Sequence, residues 1–323
     1  MACCCPKSII EDILKARDGV VENVYFVACG GSYAGLYPAK FFLQSEAKKL
    51  RVDHYTANEF CHATPKALNK NSIVITQSHS GTTPETVRAA KIAQEIGAAS
   101  ITITFDDQSP LAKNGDYVMK YEAGAPTSMG GTAFALKLAT EILNQTEGYE
   151  FYESMKTGFE RIDGIVKNAK EFLTPRAKKF AQEYKDEKLI YMMGSGANYH
   201  TAYSFAICLL MEMQWINSSA IHSGEYFHGP FEITDRETPF IILMSEGRTR
   251  PLDQRALDFL KQYAEKLIIL DAKELGLETI DDCVSEFFNP LLMGAALGNY
   301  SYELSIARKH PLSTRRYMWK LQY

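Results

Sequence analysis

The order of elements predicts an α/β protein of two tandem domains, each a parallel sheet flanked by helices in a flavodoxin-like three-layer sandwich. Three observations carry this reading. A chain of 323 residues exceeds what one hydrophobic core usually organises. Short apolar runs alternate with helical periodicity along its length. One strand–turn–helix pattern also occurs twice, as VYFVACGGSY (24–33) and LIYMMGSGANY (189–199). The repeat sets a boundary near residue 150 and domains over 1–150 and 151–323.

In the first half, residues 8–18 have helical spacing and Gly19 closes them. VYFVA (24–28) reads as a strand, 33–50 as a helix and RVDHY (51–55) as a second strand. SIVIT (72–76) leads through the polar loop QSHSGTTP into the amphipathic helix ETVRAAKIAQEIG, and ASITITF (99–105) and DYVMKY (116–121) follow as strands. A helical region from about 127 to 185 is expected to break at GYEF (148–151) and at Pro175. KLIYMM (188–193) then restarts the rhythm, with a helix over 199–216. Strands at 239–244 and 266–270 enclose a helix over 251–264, and a helix over 290–308 closes the fold. The strand runs are continuously apolar rather than alternating, as in parallel sheets covered on both faces.

Composition narrows the function. The net charge is −4, with acids and bases interspersed, which disfavours a nucleic-acid partner. No run approaches the 18 to 20 apolar residues of a membrane span. The start, MACCCPKSII, lacks a basic segment followed by a long apolar one. A cytoplasmic protein with no membrane partner is expected. Cys29, Cys61, Cys208 and Cys283 are scattered, and the adjacent Cys3, Cys4 and Cys5 cannot wrap a metal tetrahedrally. His54, His62, His200, His222 and His310 form no ligand motif, so neither metal nor cofactor is expected.

Two loops have the chemistry of an anion site. Gly30 and Gly31 permit close backbone approach, and Ser32 stands at a helix entrance. Ser78, His79, Ser80 and Thr83 make the second loop dense in polar side chains, with Pro84 suited to a first helical turn. Each loop alone also fits a well-capped strand-to-helix turn. Together, after consecutive strands, they point to a phosphate. Neither matches the P-loop of nucleotide hydrolases or a dinucleotide fingerprint.

The first loop resembles the CGTS-type turn of the sugar-isomerase (SIS) domains. Ser78–Thr86 resembles their SxSGxTxxT phosphate loop, and GEYFHGP (224–230) their GExxHGP motif. The similarity covers essentially the whole chain and matches the isomerase half of glucosamine-6-phosphate synthase. A narrower resemblance, to bacterial deglycases of phosphorylated fructosamines such as fructoselysine 6-phosphate, rests on YFVACG (25–30), LME (210–212), Trp215, SGEYFHGPFEI (223–233) and the tail RRYMWKLQY (315–323). His79 departs from the Gln or Asp that many members carry there.

Glu212 lies in the apolar stretch AYSFAICLLMEMQW. A buried carboxylate there is costly unless it is paired or functional, although such a glutamate more often lies on a solvated face. The resemblance implies a base, because the family's catalytic glutamate precedes the HGP histidine by sixteen positions, as Glu212 precedes His228. It likewise implies ring opening for His228, delivered to a neighbouring subunit's site, and hence a homodimer or higher homo-oligomer. Glu225 either holds the turn or contacts substrate. Arg315 and Arg316 either bind an anion or cap a surface tail.

The reaction implied is conversion of a 6-phosphorylated fructosamine and water to glucose 6-phosphate and a free amine. An aldose–ketose or aminosugar-phosphate isomerase or deaminase is the nearest alternative, and a non-catalytic sugar-phosphate sensor a more distant one.

Overall fold

The computed structural model describes residues 5–322. Cys3 and Cys4 of the cysteine cluster, and Tyr323 of the C-terminal pattern, lie outside the described residues. The chain forms two compact units, the first ending at Lys156 and the second beginning at Thr157.

In the first unit, strands β1 (Asn23–Ala28), β2 (Arg51–Thr56), β3 (Ser72–Ser78), β4 (Ala99–Thr104) and β5 (Tyr117–Lys120) form one parallel sheet in the order β2-β1-β3-β4-β5. That is the flavodoxin-like order. β1, β3 and β4 are buried along their whole length, which is why they read as unbroken apolar runs. Successive side chains point to opposite faces. Tyr25, Val27 and Val74 pack against α3 (Ala57–His62) and α4 (Pro84–Ile96). The remaining helices of the unit are α1 (Pro6–Lys15), α2 (Gly30–Glu46), α5 (Pro110–Lys113) and α6 (Gly131–Glu147), and α6 packs on both α1 and α2.

The long helix α7 (Tyr152–Tyr184) follows. The chain does break at 148–151, but it does not break at Pro175, contrary to expectation. Proline removes only one rung of the ladder, and the buried Leu173, Ala177 and Phe180 on either side hold the helix together.

In the second unit, β6 (Leu189–Gly194), β7 (Asn217–His222), β8 (Phe240–Met244) and β9 (Leu267–Asp271) form a parallel sheet in the order β7-β6-β8-β9. Its helices are α8 (Tyr199–Ser204), α9 (Arg250–Tyr263) and α10 (Ser285–Ala307). The helix expected over 199–216 is α-helical only in α8. Phe205–Met213 then continues as a π-helix, and Trp215 follows in the left-handed region at φ 56°. Widened turns of this kind concentrate at functional sites. Among the described residues no helix is long and apolar enough to cross a membrane.

Candidate active site

The two polar loops of the first unit leave adjacent strands. Ala28 at the end of β1 lies beside Gln77 near the end of β3. The chain proceeds from β1 outward to β2, then returns to the other side of β1, so the crevice between β1 and β3 is the switch point where ligands bind in open α/β sheets.

Gly30 opens α2 at φ 56°, Gly30 and Gly31 are exposed, and Ser32 is half-buried. Cys29 at the N-cap makes no side-chain hydrogen bond, so the first-turn amides are not taken by a cap. The same holds for α4, where Thr83 turns its Oγ1 away from the helix to Ser78 Oγ at 3.0 Å. Neither loop is therefore a turn capped by its own N-cap side chain.

Ser80 Oγ meets Thr82 Oγ1 at 2.8 Å and accepts from the Thr82 amide at 3.2 Å, while the Gly81 amide donates to Ser78 Oγ at 3.2 Å. Gly81 holds φ 65°, and a β-carbon there would collide with Ser109 Oγ, so only glycine serves. The result is a hydroxyl-lined cradle beside two helix N-termini, the geometry that favours an oxyanion.

Three neighbours, Tyr121, His54 and Gln77, were not signalled by any motif. His79 joins its Nδ1 to the Tyr121 hydroxyl at 2.9 Å and packs against Phe105 and Tyr121. His54 on β2 stacks on Tyr33 with ring centroids 3.8 Å apart, and its Nε2 lies 2.9 Å from the Tyr33 carbonyl. Burial drives its pKa down to about 3, so it is a neutral ring that donates from Nε2 and props the entrance of α2. Gln77 is buried, with Gly35 of α2 and Gly131 of α6 packed against its amide, and among the described residues its Oε1 has no hydrogen-bond partner. Only its position at the end of a central strand could have marked it.

The second unit repeats this loop architecture to a different end. Asp253, fully buried, accepts from Ser223 Oγ at 2.6 Å and from the Ser245 amide at 3.0 Å. Asn198 donates to Ser245 Oγ at 3.1 Å, and Ser195 Oγ to the Thr249 carbonyl at 3.2 Å. Loops after β6, β7 and β8 thus spend their donors on the protein's own groups, with an internal carboxylate where an external anion would otherwise be drawn.

What the second unit offers is Glu212, on the π-helical segment. Its side chain is 21% exposed, and Arg315 Nη2 meets its Oε1 at 2.7 Å. Burial pushes the Glu212 carboxyl upward, and the Arg315 charge and hydrogen bond pull it back.

The C-terminal segment is built onto this spot. Gln214 Nε2 donates to the His310 carbonyl at 2.9 Å, Arg308 Nη2 to the Gln214 carbonyl at 3.2 Å, and Trp215 sets its ring edge-on to His310. Arg315 is itself buried, with Nη1 on the carbonyls of Leu312 and Thr314. A cavity of about 550 Å³ lies here, lined by Glu212, Trp215, Asn217, Arg315, Arg316 and Tyr317 among others.

The GEYFHGP run forms a turn with a buried underside. Tyr226 is fully buried, bonds Thr234 through its hydroxyl and shares a core with Ile242 and Leu257. Phe227 packs on Phe231 and Phe259 beneath the Arg255 guanidinium. Gly229 adopts φ 130°, open only to glycine, before the short helix Pro230–Ile233. Glu225 and His228 project outward and exposed, and among the described residues neither side chain has a hydrogen bond or ion pair. His222 serves the turn internally, its Nδ1 accepting from the Gly224 amide at 3.0 Å.

The SIS domain model matches residues 20–145 and 183–276. The chain is 45% identical over 319 residues to the fructosamine deglycase FrlB of Bacillus subtilis (strain 168), a match spanning 98% of this chain and 96% of that protein. It is 27% identical over 313 residues to the fructoselysine 6-phosphate deglycase of Escherichia coli (strain K12), spanning 96% and 88%. A solved structure from Salmonella typhimurium LT2, described as a candidate phosphosugar isomerase, matches at TM-score 0.95 and 49% identity over 98% of both chains. The chain belongs to the SIS domain family, as a near-full-length relative of fructosamine deglycases within it.

Proposed function

We propose that the protein is a fructosamine 6-phosphate deglycase, converting a 6-phosphorylated fructosamine and water to glucose 6-phosphate and a free amine such as an amino acid. The observation that carries this reading is Glu212: a half-buried carboxylate on a π-helical segment, oriented by a buried arginine and open to a cavity. The full-length identity to a fructosamine deglycase supports it.

The loops around Ser32 and Ser78–Thr83 take the phosphate through hydroxyls and helix-start amides, and that remote binding energy positions the reacting end. His228, on its exposed Gly-Pro turn, assists opening of the sugar ring. Glu212 removes a proton from C1 of the ketoamine to give an enaminol, and a proton returns at C2. This leaves an imine between C1 and the amine nitrogen. Water adds to C1, the C–N bond breaks, and glucose 6-phosphate and the amine separate.

A carboxyl raised by burial lies nearer the neutral range, where one group both takes and returns a proton efficiently. Arg315 keeps it ionised enough to act as a base. Glu225, exposed on the turn that presents His228, contacts the substrate rather than holding the turn.

The working unit is a cytoplasmic homodimer or higher homo-oligomer in which His228 serves a neighbouring copy, and the net reaction is a hydrolysis. An aldose–ketose isomerase would use the same loops and the same glutamate. Incubation with fructoselysine 6-phosphate and, separately, fructose 6-phosphate distinguishes them. Glucose 6-phosphate released only from the former supports the deglycase, and release only from the latter overturns it.

A further inference from the structure

Two adjacent arginines line the Glu212 cavity, and among the described residues only the first makes an ion pair or hydrogen bond. Arg315 is committed to Glu212 and to two carbonyls. Arg316 is exposed and, among the described residues, has no ion pair or hydrogen bond; its guanidinium lies over the Trp215 ring, 4.3 Å from the centroid. Both Arg316 and Trp215 line the cavity with Glu212.

Stacking of this kind leaves the in-plane N–H donors of the guanidinium uncovered, a fork matched to a carboxylate. The platform is itself restrained. Trp215 follows the π-helical segment at φ 56° and packs edge-on against His310 at 4.6 Å. A cation held on a restrained ring loses less freedom on binding than one on a free side chain.

We propose that Arg316, stacked on Trp215, is a specificity-determining residue that binds a carboxylate on the amine portion of the substrate. The inference rests on the deglycase reading. There Glu212 acts at C1, the carbon that bears the amine, whereas the phosphate is at the other end of the sugar on C6. The substrate group near Glu212 is thus the amine substituent, and the charge that complements a free guanidinium is a carboxylate. The enzyme is expected to favour fructosamines of amino acids over those of simple amines.

The test uses two substrate pairs that differ by one carboxylate, all phosphorylated at C6: the fructosamines of glycine and of methylamine, and the Nε-fructosamine of lysine with that of cadaverine. The wild-type enzyme is expected to prefer the carboxylate-bearing member of at least one pair by about 10- to 100-fold in kcat/KM, the range of a hydrogen-bonded charged contact. In Arg316→Gln that ratio is expected to collapse toward one, and Arg316→Lys, which keeps the charge but loses the planar stack, should restore part of it.

Absence of preference in both wild-type pairs would overturn the assignment. So would an Arg316→Gln variant that loses both members of a pair equally, since the cation would then serve the phosphate or the fold. Turnover of none of the four compounds by the wild type would bring down the deglycase reading and this assignment with it. Turnover without discrimination brings down the assignment alone.

Discussion

Arg315 and Glu212 form the tightest polar contact at the candidate catalytic carboxylate, Nη2 to Oε1 at 2.7 Å, and the arginine is the more buried of the two, with 6% of its side chain exposed. A buried charge is tolerated when paired, and breaking such a pair leaves the survivor uncompensated. The C-terminal segment therefore holds the Glu212 carboxylate in place, and its arginine lowers a proton affinity that burial raises.

The first prediction concerns the base itself. Glu212→Gln keeps shape and hydrogen-bonding capacity but cannot accept a proton from carbon. Turnover is expected to fall by about 10²- to 10⁴-fold, the usual contribution of a positioned acid–base group. Circular dichroism and binding of a phosphorylated ligand should be retained. Near-normal turnover by this variant would remove Glu212 from the mechanism.

Arg315 leads to a prediction about pH. As a base Glu212 works ionised, so kcat/KM falls on the acid side as pH drops through its pKa. Burial raises that value and Arg315 lowers it. Arg315→Met removes the lowering influence, so the acid limb should move to higher pH, with the largest relative loss of activity below neutrality. A profile that drops uniformly without moving would mean that the arginine serves only to anchor the tail.

The proposed phosphate cradle should respond in KM. Ser78→Ala and Thr83→Ala each delete a hydroxyl facing the proposed anion, and hydrogen bonds to charged groups contribute about 1.5–3 kcal/mol. Each variant is expected to raise KM by roughly 10- to 100-fold with a smaller change in kcat, because the phosphate is remote from the reacting carbons. Gly81→Ala adds backbone strain and a collision with Ser109, and should lower stability as well. Unchanged KM in both hydroxyl variants would count against this loop.

Much of this was legible in the residues, and what was not has physical causes. β1, β3 and β4 announce themselves because a strand covered on both faces must be apolar throughout. β7, with the sequence NSSAIH, escaped notice because it is a sheet-edge strand with polar, largely accessible residues. The π-helical turn is hidden because π and α segments of an apolar run differ by one register of hydrogen bonds, not by residue type. The candidate residues could be named from their motifs. The Arg315–Glu212 pair could not be established that way, since it depends on where the tail folds. Nor could the internal carboxylate of the second unit, because Asp253 belongs to the amphipathic pattern of α9 and looks like an ordinary first-turn acid.

Asp253 gives a prediction about stability. Burial raises its carboxyl above the ordinary aspartate value, and the bonds from Ser223 and Ser245 oppose that rise without cancelling it. A carboxyl raised on folding binds its proton more tightly in the native chain than in the unfolded one. Its contribution to stability therefore declines as pH climbs from the unfolded value, near 3.8, through the raised native one. Asp253→Asn abolishes that slope, and also leaves one donor of the pair Ser223 Oγ and Ser245 N without its acceptor, at a cost of about 1–3 kcal/mol. Urea unfolding over a pH series should show a variant whose deficit is largest at the acid end of the window and shrinks as pH rises through it. A constant deficit would indicate that the native carboxyl titrates as it does in the unfolded chain.

The proposed role of His228 at a neighbouring copy's site gives the last prediction. The residue stands exposed on a turn whose interior is rigid, and its side chain is not engaged by its own chain among the described residues. If it completes the site of a neighbour in a two-fold dimer, then Glu212→Gln and His228→Ala homodimers are each impaired. A mixed dimer, in contrast, has one site with both lesions and one with neither. Co-refolding equal amounts of the two variants should then restore about a quarter of wild-type turnover, since half the dimers are mixed and each has one intact site. If His228 instead serves the site of its own chain, every site in the mixture keeps one lesion and no activity returns.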